Sequence, residues 1–262
     1  PTIQTSNRNG YVKRGAGTLA VGGPSSYLGE TFVADGVFLA RHPEAVSPSS
    51  ALRLCKAGGA TTGGILGLGH GDFTNALGTT AGCFAGKDDG GYYNEGGWAA
   101  YGADRVVNIG NDRRAVTNIM PMLDNIILGA PDADATVTFL NPLHTQGATW
   151  YAYDGAADVD GRFAGAITNH AGAWPVIVKR GAGTLDLAAD NPLTGTLNIQ
   201  EGRLLVSGAT GPSLAVNVKS GGILGGGGVV AGNIVVETNG AFAVDNRIGT
   251  ATLLGNLIFD AG

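Results

Sequence analysis

The sequence predicts an all-β protein, a parallel β-solenoid whose rungs run to roughly 20 residues. Three observations lead there. Gly supplies 46 of the 262 residues, about 18% against an ordinary share of roughly 7%. The eight residues Val12–Leu19 return without change as Val178–Leu185, an offset of 166. From residue 202 onward, a Gly following a short β-branched strand recurs at Gly202, Gly222, Gly240 and Gly262.

The repeat organises the chain. At the same offset Gly29 meets Gly195, Val33 meets Ile199, Gly36 meets Gly202 and Leu39 meets Leu205. An offset of 166 residues is too long for one supersecondary unit, so it encloses several smaller ones. The C-terminal part shows what they are: strands such as Val216–Val218, Ile234–Val236 and Leu257–Phe259, each closed by a Gly. A unit of strand, turn and strand buries its apolar side only against copies of itself, and stacking such units gives a solenoid. An antiparallel sandwich is the competing reading, but it does not call for a Gly at one corner of every second strand. Ala135–Phe139 and Thr196–Ile199 alternate apolar with Thr or Asn, as half-buried strands do.

Composition narrows the function classes. Charged residues at 14% and hydrophobic residues at 44% exclude a disordered, charge-rich chain. The 10 Pro and the absence of a strict G-X-Y period exclude collagen, and no run of 18 apolar residues marks a membrane helix. A net charge of −5 without a basic block leaves no footprint for nucleic acid. The sequence begins at Pro1 without Met or a leader pattern, so any secretion signal is expected to have been removed or to lie outside this sequence.

The segments Lys179–Leu187 and Asn191–Val206 resemble the autotransporter-associated β-strand repeat of large bacterial surface proteins, whose pattern runs K-x-G-x-G-T-L-x-L, a short Asn loop, T-G, a strand and G-x-L. The earlier copy matches it more loosely. Gly64–Gly69, Gly97–Asn108 and Leu128–Val137 resemble the long module between repeats. The resemblance implies a right-handed β-helix, secreted or displayed at the bacterial surface, in which the repeat is scaffold. The chain then divides as one solenoid over 1–262: a first copy at 11–41, an inter-repeat module at 42–170, a second copy at 177–206 and short rungs at 207–262.

The function expected is non-enzymatic and structural: a fibre, a coat or the stalk of a longer surface protein. An adhesin binding glycans is the alternative, and a polysaccharide-cleaving β-helix the third reading. Tight corners are expected at Gly15, Gly17, Gly36, Gly181, Gly183, Gly202, Gly222 and Gly240. End-to-end homopolymer assembly is expected to join Leu257, Ile258 and Phe259 to the strands near Val12 and Leu19. Tyr92, Tyr93, Trp98, Tyr101, Trp150 and Tyr151 are candidates for a subunit interface, a sugar site or core filling. Cys55 and Cys83 are candidates for a disulfide if the chain is extracellular.

Catalysis and cofactors find little support. His42, His70, His144 and His170 have no Ser in a nucleophile elbow near them. Asp88 with Asp89, or Asp132 with Asp134, would supply acids for glycan cleavage, though Asp also serves turns. Asp154, Asp158 and Asp160 invite a calcium reading, but the spacing fits neither an EF-hand loop nor the nonapeptide calcium motif. No cofactor is expected.

Overall fold

A computed structural model describes residues 2–5, 10–87, 90–118, 122–244 and 250–260. Asp88, Asp89 and Gly262 lie outside the described residues. Its spine is an 11-stranded parallel sheet that runs from Thr18–Val21 through Gly36–Ala40, Gly64–Leu68, Glu95–Ala100 and so on to Leu257–Phe259. Each rung contributes one strand to this long sheet. A seven-stranded parallel sheet, from Arg105–Val107 to Ala241–Ala243, forms a second face. A five-stranded sheet lies at the N-terminal end, and short strands such as Leu143–Thr145 and Ala209–Thr210 build three- and four-stranded sheets further along. The protein is a parallel β-solenoid.

Rung length varies. Registered partners lie 18 residues apart at Val216 and Ile234 and 20 apart at Gly202 and Gly222. Between Gly64 and Gly96 the step is 32. The expected spacing of roughly 20 therefore holds in the repeat copies and the C-terminal rungs, while the middle rungs carry side loops. A longer loop costs little once its strand keeps its place, because loop entropy grows only with the logarithm of length.

The core is a set of columns running along the axis. Leu19, Phe38, Leu66, Trp98, Leu128 and Ala152 occupy successive registered positions. Trp98 packs against Phe84, Phe73 and Phe139 at ring-centroid distances of 5.2, 5.4 and 5.9 Å. Trp150 packs against Phe163 at 5.2 Å. Both Trp side chains are fully buried, so Trp98 and Trp150 fill the core and present nothing to a partner or a sugar.

Two further expectations are corrected here. Leu52 registers with Phe84, which sets Cys55 and Cys83 four positions apart along neighbouring strands. That is about 13 Å at 3.3 Å per residue, well beyond the ~7 Å Cα separation a disulfide spans, and no disulfide joins them. Val12 is not at an open edge either. Its strand Tyr11–Arg14 is paired antiparallel by Thr2–Thr5 on one side and parallel by Thr31–Val33 on the other. Leu19 does stand on an edge strand, the first of the long sheet.

Candidate functional site

The repeated segment V-K-R-G-A-G-T-L forms a corner, and its lysine is the unexpected part. Lys13 and Lys179 are 1% and 0% exposed. Lys13 Nζ donates to the carbonyls of Gly15 at 2.5 Å and Asp35 at 2.6 Å. Lys179 Nζ donates to those of Gly181, Gly183 and Glu201 at 2.5, 2.6 and 2.8 Å. Asp35 and Glu201 belong to the following rung, so each ammonium ties one rung to the next.

Glycine makes the cage. Gly15 and Gly181 both take φ 81°, a conformation that L side chains rarely adopt and that turns the corner. Gly36 and Gly202, one rung on, take φ 64°, and a Cβ on Gly202 would meet the Gly181 carbonyl oxygen at 2.4 Å. Gly222 and Gly240 need room instead: a Cβ there would lie 2.3 and 2.6 Å from backbone oxygens. Burial drives the Lys179 ammonium down to about 8, against the opposing pull of Glu201, Asp160 and Asp154. Lys13 is lowered by burial too, with Asp35 opposing.

The two corners are placed differently. The first turns from the five-stranded sheet into the long sheet, as Tyr11–Arg14 leads to Thr18–Val21. The second turns from the long sheet into the seven-stranded one, as Val176–Arg180 leads to Thr184–Leu187.

The remaining candidates scatter. Tyr92 accepts a hydrogen bond from Arg14 Nη2 at 2.9 Å and packs against Phe32, while Tyr93 is exposed. Tyr101 donates to Asp132 Oδ1 at 2.6 Å, and Thr18 donates to Asp132 Oδ2 at 2.5 Å. Asp134 accepts from the Gly102 amide at 2.6 Å. Of the four acids considered for glycan cleavage, Asp132 and Asp134 are thus engaged in holding loops. Asp160 accepts from the amides of Gly155 and Thr184 at 2.7 and 2.8 Å, and among the described residues no cluster of His, Cys, Asp or Glu assembles as a metal site. His70 lies below its ordinary value through burial, with Arg105 adding to it.

Among the hollows of the described residues, two lie near the candidate residues. A groove of about 620 Å³ on the seven-stranded face is lined by Asp104, Asp134, Asp158, Arg162 and Asp186, with Arg162 Nε bound to Asp186 Oδ2 at 2.9 Å. A cleft of about 450 Å³ lies where Tyr151 and Tyr153 meet the second corner. Tyr153 belongs to the aromatic cluster Trp150-Tyr151-Ala152-Tyr153, and the alternation Tyr151-Ala152-Tyr153 sends both tyrosine rings to the same face.

The passenger-associated-transport-repeat family model matches residues 12–39 and 177–206, the two segments that each contain a lysine corner and the rung stacked on it. The chain carries two passenger-associated-transport repeats. Curated proteins and solved structures gave no match. The repeat is therefore a two-rung corner: four strands common to both copies, two glycine turns stacked on one another and one buried lysine, with the short strand Asp190–Asn191 added in the second copy. Its presence bears out the resemblance to autotransporter-associated repeats and associates the chain with the surface passengers that carry them. Among the described residues no helix is long and apolar enough to cross a membrane.

Proposed function

We propose that the chain is a non-enzymatic structural segment of a bacterial surface passenger, a rod that sets position and distance. The observation that carries this reading is the unbroken ladder of 11 parallel strands from Thr18–Val21 to Leu257–Phe259. At about 4.8 Å per rung it runs to roughly 50 Å, and each rung is stabilised by its immediate neighbours. The engagement of Asp132, Asp134 and Asp160 in loop hydrogen bonds supports the same reading. In the assembled form we join the strand Leu257–Phe259 to the edge strand bearing Leu19 in the next copy.

Antibody labelling of intact cells with negative-stain imaging tests it. Labelled rods or fibres on the outer surface are expected, shortened by Ile258→Asp, which puts a charge into the apolar contact. Compact particles without length, or release of reducing ends from polysaccharide that Asp134→Asn abolishes, would overturn it.

A further inference from the structure

We propose that the cleft at Tyr151 and Tyr153 is a carbohydrate site that takes a neutral pyranose unit of a glycan chain.

The cleft sits on the outer face of the long sheet, where two coverings end. On the N-terminal side the outward residues Val37, Leu39, Ile65 and Ile127 are apolar, and the loop bearing Ala130 and Ala133 covers them. On the C-terminal side the adjoining strand presents Val176, Val178 and Arg180, and the two strands after it present Thr196, Asn198, Ala215 and Asn217, with Asn217 Nδ2 bound to Asn198 Oδ1 at 3.0 Å. Between the two stand Tyr151 and Tyr153, half-buried, with ring centroids 6.0 Å apart and planes 20° from parallel. The two rings are stacked in parallel, offset planes, and together they give the cleft an apolar wall.

The rim is polar and of mixed sign. Arg180 registers directly with Tyr151 on the neighbouring strand. Its Nε donates to Gln200 Oε1 at 2.9 Å, and Glu201 Oε2 accepts from the Gly181 amide at 3.0 Å, so both charged groups are held in place. Asp154 completes the lining, with Pro131 opposite. A guanidinium has five N–H donors and a carboxylate about four acceptor sites, more than these bonds use. Arg180 disfavours a bare cation in the cleft, and the two carboxylates disfavour an anion. What suits an apolar aromatic wall inside such a rim is a neutral ligand with one apolar face and an equatorial belt of hydroxyls, which is a pyranose ring. The volume of about 450 Å³ is within the range of small-ligand sites.

Cellohexaose, maltohexaose and chitohexaose serve as probes, with choline as a cationic control, each titrated into the 262-residue chain by calorimetry and saturation-transfer NMR. At least one sugar is expected to bind, with transfer strongest at ring protons. Tyr151→Ala and Tyr153→Ala should each weaken it about tenfold or more, while Trp174→Ala, an exposed aromatic outside the cleft, leaves it unchanged. If either tyrosine variant fails to fold, Ala182→Trp, at an exposed position of the corner, fills the cleft from outside and should block binding. The proposal is overturned if no sugar binds at about 10 mM, if binding survives the tyrosine or Ala182→Trp variants, or if choline alone binds.

Discussion

Lys179 stands in register between Trp150 and Ile199, so an ammonium stem occupies one place in a column otherwise built of core side chains. The stem packs as a hydrophobe would, and the charged head leaves the column at the corner to meet three carbonyls.

That arrangement sets a pH dependence. The folded chain releases the Lys179 proton near 8, while the unfolded chain keeps it to the ordinary 10.5. Below 8 both states are charged and the full burial cost is present. Between 8 and 10.5 the unfolded state binds more protons, so stability rises with pH, by up to about 3 kcal/mol from this group. Urea midpoints at neutral and alkaline pH should show that rise, and Lys179→Met should flatten it. An equal slope in the variant would refute the assignment.

Gly202→Val forces a β-branched residue into φ 64° with its Cβ against the Gly181 carbonyl, and should cost roughly 2–4 kcal/mol. Gly23→Ala, where a Cβ meets nothing within 4 Å, should stay within about 0.5 kcal/mol. Denaturant midpoints of the two variants measure the difference.

Trp98→Ala should act as a core deletion, lowering stability by about 3–5 kcal/mol. Sugar binding at the tyrosine cleft, measured below the variant's unfolding transition, should be retained.

Cys55 and Cys83 should each take one alkyl group when the chain is unfolded without reductant, with no loss of two hydrogens in the intact mass. In the folded chain Cys83, half-buried, should react before the fully buried Cys55. A mass two hydrogens low would show that the register places them wrongly.

Much of the fold could be read from the sequence because a solenoid writes its period directly into the chain. The Gly202 and Gly222 recurrence marked partners that the structure puts in register. Sites were less legible. Trp98 and Tyr151 look alike in a sequence rich in Gly and aromatics, yet one points into the column and the other out of it, a difference that depends on strand phase. The cysteines misled for a similar reason: a separation of 28 residues resembles one rung, but the loops of the middle rungs stretch the local step to 32 at Leu52 and Phe84. Lys13 and Lys179 gave no polar signal beyond their repetition, since only a backbone bent by Gly15 and Gly181 offers carbonyls to a buried ammonium.

The placement of the two corners has a consequence for how such chains lengthen. One elbow joins the five-stranded to the long sheet, and its twin joins the long to the seven-stranded sheet, so the motif is indifferent to rotational phase. The stretch between two elbows therefore need not complete a whole number of circuits. Gain or loss of a single side of the prism would leave each elbow intact and turn everything beyond it by one face. Surface loops, including any that meet a ligand, would then be re-aimed around the rod without rebuilding its core.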